Sequence, residues 1–268
     1  MANEIITSQQ NKLVKHIKGL QLKKNRKKYK QFIIEGIRTI EECFLHNIPI
    51  EFVLYTQELA EIHGGENILE KALQECKSYE VSNDVFKSLS DVENPQGIMA
   101  LIGMKDDRLE DITLKDNTLY IVLDRIQDPG NMGNIIRTAE AAGVDGIILT
   151  RGCVDPYNSK TIRATMGAIL HIPIIETQSN DIWVNFMKNN GVKLIASSLC
   201  TDKTYLDIDY DGRIAIVIGN EANGIDSNLL TYADSSIKIP IRGKIESLNA
   251  STAASILIYK AIEYRMSK

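Results

Sequence analysis

The sequence predicts an α/β protein in two domains, on three observations. Apolar runs suited to strands alternate with segments of helical period along nearly the whole chain, the pattern of β-α-β units. In the C-terminal part those runs are near-continuously apolar, as in a parallel sheet covered on both faces. A length of 268 residues lies near the upper limit for a single core, which favours two.

Residues 5–30 place Leu13, Ile17 and Leu20 at helical spacing with Ser8 as a candidate cap, and read as one long helix or a helical pair. Strands follow at 32–34, 51–55, 79–81 and 97–102, with helices at 36–46, 68–76 and 83–90 between them, together a small α/β sandwich. The polar segment 105–117 lacks a period and divides the chain into domains 1–107 and 108–268. Beyond it come strand 119–123, helix 131–142 closed by Gly143, strand 146–150 and helix 159–170. Helix 181–190, strands 193–197 and 214–218, helix 227–233, strand 237–241 and a final helix complete the series.

No apolar run approaches the span of a bilayer, and MANEIITSQQNK lacks the apolar centre of a signal peptide, so the expected location is cytoplasmic with no membrane partner. Cys43, Cys76, Cys153 and Cys200 are far apart, with no C-x-x-C pair and no histidine at ligand spacing. Neither a disulfide framework nor a metal site is expected. Charge is segregated: the chain is net −4, yet its first 30 residues hold nine lysines and arginines against Glu4 alone. Lys23, Lys24, Arg26, Lys27 and Lys28 are thus candidates for contacting a phosphate backbone, with a solvated helix face as the alternative.

In a parallel sheet, ligands gather at the carboxyl edge. Three strand-end loops there are polar and rich in Gly and Asn. The first, LDRIQDPGNMGNIIRTAEAAG, brings Asn131, Asn134 and Arg137 onto a loop and opening helix; Asn131 also suits a cap. Arg137, set among Ile135, Ile136, Ala139 and Ala142, is a candidate clamp for phosphate or a transition state, or else a snorkelling surface residue. The second, IVIGNEANGI, flanks Glu221 with Gly219 and Gly224. In the third, Arg242, Lys244, Glu246, Ser247 and Asn249 crowd a strand-to-helix turn, with Ser247 placed as an N-cap. The small residues 250–255 beyond it allow another backbone to come close. Neither G-x-G-x-x-G nor G-x-x-x-x-G-K-[ST] is present, which disfavours a nucleotide-dependent oxidoreductase or a P-loop, and His171 has no serine and aspartate partners in sequence.

Taken in order, N-x-x-x-x-x-R-T-A-x-A-x-G (131–143), I-G-N-E-x-x-G (218–224) and I-P-I-x-G-x-x-x-S-L-N-x-S (239–251) closely resemble the three motifs of the SpoU/TrmH family of RNA ribose 2′-O-methyltransferases. F-I-I-E-G-I-R-T-I-E-E (32–42) and P-Q-G-I-M-A (95–100) look like the substrate-binding domain often fused to it, a module similar to small ribosomal RNA-binding proteins. The resemblance implies a SPOUT fold, a parallel sheet with a C-terminal trefoil knot, preceded here by the smaller α/β RNA-binding domain. It also implies a homodimer and S-adenosylmethionine bound by the knot loops at Gly219, Asn220, Gly224, Ile239, Ser247 and Leu248. Asn131 and Arg137 match the first motif, Glu221 the second, and Ser247 and Asn249 the third. Arg137 resembles the residue given the central catalytic role, with the others positioning the nucleotide or shaping the loops. Domain architecture favours ribosomal over transfer RNA as substrate. A non-catalytic RNA-binding assembly factor on the same fold is the alternative.

Overall fold

The computed structural model describes residues 5–268; residues 1–4, which open the predicted first domain and include Glu4 of the charge reading, lie outside the described residues. The chain forms two compact units, one taking the chain up to Lys105 together with Tyr157–Leu170, the other Asp106–Pro156 with His171–Lys268. A division at one point of the sequence does not anticipate that Tyr157–Leu170 packs with the first unit.

In the first unit a helical pair, α1 (Lys12–Gly19) and α2 (Lys23–Tyr29), precedes β1 (Gln31–Glu35). The cap of α1 is Asn11, whose side chain accepts from Leu13 N; Ser8 accepts from Gln10 N one turn too early. Then come α3 (Ile37–Leu45), β2 (Ile50–Tyr55), a 3-10 turn, α4 (Gly65–Glu75), β3 (Ser78–Glu80), α5 (Asn83–Leu89) and β4 (Ile98–Gly103). The sheet runs β1-β4-β2-β3 and is mixed: β4 is antiparallel to both neighbours, whereas β2 and β3 are parallel. Val14, Ile17 and Leu20 of the α1 segment bury against Phe52, Leu54, Met99 and Leu101 of the sheet. Burial of this kind stabilises by roughly 1.5–3 kcal/mol for each large side chain.

The later elements are β5 (Leu119–Leu123), α6 (Pro129–Ala141), β6 (Gly146–Leu149), α7 (Ser159–Thr165), β7 (Ile174–Glu176), α8 (Asn180–Asn189), β8 (Lys193–Ser197), β9 (Ile214–Ile218), α9 (Ser227–Thr231), β10 (Ser235–Ile237) and α10 (Ala250–Met266). All but α7 belong to the second unit, whose six strands form a parallel sheet in the order β10-β8-β9-β5-β6-β7. Every residue of β5, β6 and β9 is buried, as their apolar runs require. Trp183, Val184 and Met187 of α8 join the core on one face. On α10, Ala250, Ser251, Ala254 and Ala261 are buried and let that helix lie close to α6, where Thr138 Oγ1 and Ser255 Oγ are 3.3 Å apart. Arg265 clasps the far end of α10 by donating to the carbonyls of Asn117, Thr118, Tyr210 and Gly212.

Three sequence expectations change. The helix expected over 159–170 is α7 followed by a 3-10 turn, because Met166 and Gly167 adopt φ of 51° and 94° and end it. Strand β7 falls between the helices expected over 159–170 and 181–190, where no element is expected. The strand expected over 237–241 is β10, which ends at Ile237: Pro240 has no N–H to give a ladder, and the chain leaves the sheet before it. Among the described residues, no helix is long and apolar enough to cross a membrane.

Candidate active site

All strands of the second sheet point the same way, so the loops after β5, β9 and β10 share its carboxyl edge, and adjacency of β5 and β9 sets the first two side by side. The first loop is fixed by Asp124, almost fully buried at the end of β5. Its carboxylate accepts from Thr150 Oγ1 (3.0 Å), from the Arg125 guanidinium (Nη2, 2.9 Å) and from Asp226 N (2.8 Å). One buried charge thus ties the ends of β5 and β6 to the segment beyond Gly224, with its desolvation offset by these donors. Asp128 then caps α6 by accepting from Asn131 N at 2.8 Å, with Pro129 at the first helical position.

The second loop is a tight turn closed by paired backbone bonds between Asn220 and Gly224, 3.0 and 2.9 Å. Gly219 is obligatory there: a Cβ would stand 2.4 Å from the backbone of Gly224 and Ile225. Asn220 is buried; its side chain donates to Arg125 O of the first loop at 2.8 Å and accepts from Ala222 N and Asn223 N within the turn. It shapes the loop and holds it to the first.

Glu221, at the tip, joins the loops. Its Oε1 accepts from Asn131 Nδ2 at 3.0 Å, and its two oxygens accept from Asp128 N and Gln127 N at 3.3 Å. Desolvation favours the neutral acid, but the donors from Asn131, Glu221's own N–H, Asp128 and Gln127 outweigh it and hold the carboxyl below its ordinary value. Asn131 Oδ1 in turn accepts from Asn249 Nδ2 at 2.8 Å. Asn249, not Ser247, is the N-cap of α10: its Oδ1 accepts from Ser251 N, Thr252 N and Ser251 Oγ. Ser247 is exposed two residues short of the cap, on the wall of the cavity described next. Three residues, the outermost 118 positions apart, therefore form one chain, Glu221–Asn131–Asn249, with all three loops in register.

Beside that chain lies a cavity of about 440 Å³, within the usual range for a small-molecule site. Gly219, Asn220, Glu221, Gly224, Ile239, Ser247, Leu248 and Asn249 border it, so the expected cofactor residues are brought together. Sequence reasoning missed further lining residues, Ser197 at the end of β8, Ser198 and Leu199 after it, and Lys238. The adjacency of β8 and β9 puts the first three there, and periodicity does not reveal adjacency. It also missed Asp124, whose one signal is an acid directly after five buried apolar residues.

Arg137 lies elsewhere. Helical period turns it away from Ile135, Ile136 and Ala139, which are buried, and leaves it exposed. It is not among the buried face as the sequence suggested. It borders a second, open cavity of about 350 Å³ between α6 and α10, with Asn134, Thr138, Ser251, Ser255 and Tyr259. Among the described residues it makes no hydrogen bond or ion pair. Of the basic candidates, Lys23, Lys24, Lys27 and Lys28 are exposed, but Arg26 is buried and donates to Leu20 O (2.6 Å) and Gln21 O (2.8 Å). Arg26 closes the turn between α1 and α2 and is withdrawn from the basic surface.

Residues 118–259 match the model of the SpoU rRNA Methylase family, and residues 11–100 that of an MRM3-like substrate binding domain. The 23S rRNA (guanosine(2553)-2′-O)-methyltransferase RlmP of Bacillus subtilis is 35% identical over 95% of this chain and 97% of its own length. The 23S rRNA (uridine(2479)-2′-O)-methyltransferase of Streptomyces viridochromogenes is 28% identical over 88% of this chain and 84% of its own. A crystal structure of an AdoMet-bound rRNA methyltransferase from Sinorhizobium meliloti superposes with a TM-score of 0.86 at 31% identity, over 97% of this chain and 98% of that one.

Proposed function

The chain belongs to the SpoU rRNA methylase family, and on that premise we propose that it methylates a ribose 2′-hydroxyl of 23S ribosomal RNA with S-adenosylmethionine as donor. The observation that carries this reading is the Glu221–Asn131–Asn249 chain, which holds three loops around one cavity of cofactor size. The cavity fits that donor: Leu199, Ile218 and Ile239 offer apolar walls to a purine, and the close-packed turn at Gly219 presents backbone groups to its polar edges. When bound, the donor would supply a sulfonium methyl to the ribose oxygen, leaving as the thioether while the hydroxyl proton passes to solvent.

The residues of the chain then divide the work. Glu221, Asn131 and Asn249 keep the loops closed, and Ser247 and Leu248 complete the wall. Arg137 orients the ribose hydroxyl, directly or through a neighbouring phosphate; a guanidinium stays protonated and does not serve as the base. Alignment of the two reacting atoms supplies much of the acceleration. A ribose hydroxyl as acceptor also separates RNA from DNA.

Further elements of the reading follow the family. Residues 108–268, apart from Tyr157–Leu170, are the catalytic domain, and residues 1–107 select the RNA, with Lys23, Lys24, Lys27 and Lys28 on phosphates. A trefoil knot is carried over from the family, with β10 at the sheet edge beyond β8 and α10, after the intervening loop, packed on α6 and β9. A second copy covering the α6 and α10 face is favoured by half-exposed Tyr259 and by the open cavity there, and would enclose Arg137. The location is cytoplasmic. The test is incubation with methyl-labelled S-adenosylmethionine and unmodified 23S or transfer RNA, then digestion to nucleosides. A labelled 2′-O-methylnucleoside from 23S RNA is the expected product; label on a base, or in transfer RNA alone, overturns the assignment.

A further inference from the structure

We infer that Tyr29 is a stacking platform for an unpaired RNA base. The inference rests on the RNA-binding role proposed for residues 1–107 and says how that unit grips more than phosphates. Tyr29 is the last residue of α2, and the residue is 46% exposed. Lys30 follows in the left-handed region, φ 54°, and turns the chain straight into β1, so the backbone is fixed on both sides of the tyrosine.

The ring is also held from behind. His16 of α1 packs edge-on against it, centroids 4.9 Å apart and planes at 73°. His16 is itself anchored, with Nε2 2.7 Å from Gln31 Oε1. Gln31 in turn donates its amide N–H groups to both oxygens of Glu51, at 2.7 and 2.6 Å, so the His16 contact is backed by Gln31 of β1 and by Glu51 of β2. Lys28 Nζ lies over the tyrosine ring, 5.1 Å from its centroid, where a stacking base would displace it towards the phosphates, and Lys23, Lys24 and Lys27 are exposed on the same helix. A rigid, half-exposed aromatic inside a cluster of cations is the combination that binds single-stranded RNA: the cations meet phosphates while a splayed base stacks on the ring. A tyrosine that merely covers His16 needs neither the ordered relay behind it nor the surrounding lysines.

The test uses the full-length protein and anisotropy titrations with two labelled probes, single-stranded oligoadenylate and an RNA duplex with the same number of phosphates. Tyr29→Ala is expected to weaken the single strand about tenfold, with duplex affinity and both salt slopes as in the wild type. Tyr29→Phe should bind like the wild type. Tyr29→Leu, which still covers His16 but has no π face, should lose the single strand as Tyr29→Ala does. Lys28→Ala should flatten the salt slope on both probes. Unchanged single-strand affinity in Tyr29→Ala, or an equal loss on both probes, overturns the platform while leaving the basic helix in place. A wild-type protein that binds neither probe overturns the RNA role of the unit and the platform with it.

Discussion

Glu221 and Arg137 come from motifs of one site yet occupy opposite environments. Glu221 is met by donors from Gln127 and Asp128 of the neighbouring loop and from Asn131 in the first turn of α6, and sits in a chain of side-chain bonds reaching α10. Arg137, two turns into α6, points outward with no protein partner among the described residues. The difference separates two jobs. A group whose hydrogen-bonding capacity is spent on its own fold sets geometry; a charged group left unspent beside a cavity is available to substrate. The two classes should therefore fail differently when altered.

The largest effect is expected where geometry is least negotiable. Gly219→Ala puts a methyl group 2.4 Å from the facing backbone, and calorimetric titration should show S-adenosylmethionine binding abolished, with transfer lost as a consequence. Arg137→Ala should come next and break the pattern: transfer under single turnover falls about 10²- to 10³-fold, while cofactor affinity and melting temperature stay at wild-type values. Glu221→Gln presents an amide to backbone donors; it should weaken cofactor binding and lower stability by about 1 kcal/mol, read by titration and by denaturant melts.

The same carboxylate gives a pH signature. Its folded value lies below the ordinary 4.5, so the stability it contributes is fully present above that value and is lost as pH falls through the folded one. The difference in stability between wild type and Glu221→Gln should be constant in the neutral range and shrink below pH 4.5; a difference that grows on acidification would place Glu221 on the other side of the comparison. The smallest effect belongs far from both residues. Replacing Lys23, Lys24, Lys27 and Lys28 together by alanine should weaken RNA binding and lower its logarithmic salt slope by about 0.7 for each phosphate of a single strand that is no longer neutralised, with cofactor affinity unchanged.

Much of the fold was legible because burial leaves few choices. The runs at 119–123, 193–197 and 214–218 are strands to the residue, since an apolar stretch of that length between glycines and polar loops has one good use in a parallel sheet. The errors have equally local causes. Ile237, Ile239 and Ile241 alternate like a strand, but Ile239 and Ile241 instead face the cavity after the chain leaves the sheet. Strand β7 has three residues at a sheet edge and follows Pro173, too short a signal to separate from loop. Arg26 lies in a run of lysines whose composition looks uniform, and only the α1–α2 turn shows that its guanidinium is consumed by carbonyls.

At the site, the motif residues could be named from the sequence, but their connection could not. Nothing in the spacing of Asn131, Glu221 and Asn249 says that their side chains touch, because that depends on β9 pairing with β5 and on α10 returning to α6. For the same reason Asn249 and not Ser247 caps the helix: its side chain is already placed by Asn131. Asp124, which organises the first loop, belongs to no motif that composition would single out.

The most direct measurement pairs two titrations with one rate. S-adenosylmethionine affinity and single-turnover methyl transfer to unmodified 23S RNA are measured for the wild type, Arg137→Ala and Glu221→Gln. Loss of transfer with unaltered affinity in the arginine variant, and loss of affinity in the glutamate variant, is the expected result. Near-wild-type transfer by Arg137→Ala, with label still recovered as a 2′-O-methylnucleoside, would contradict the division of labour between the two residues.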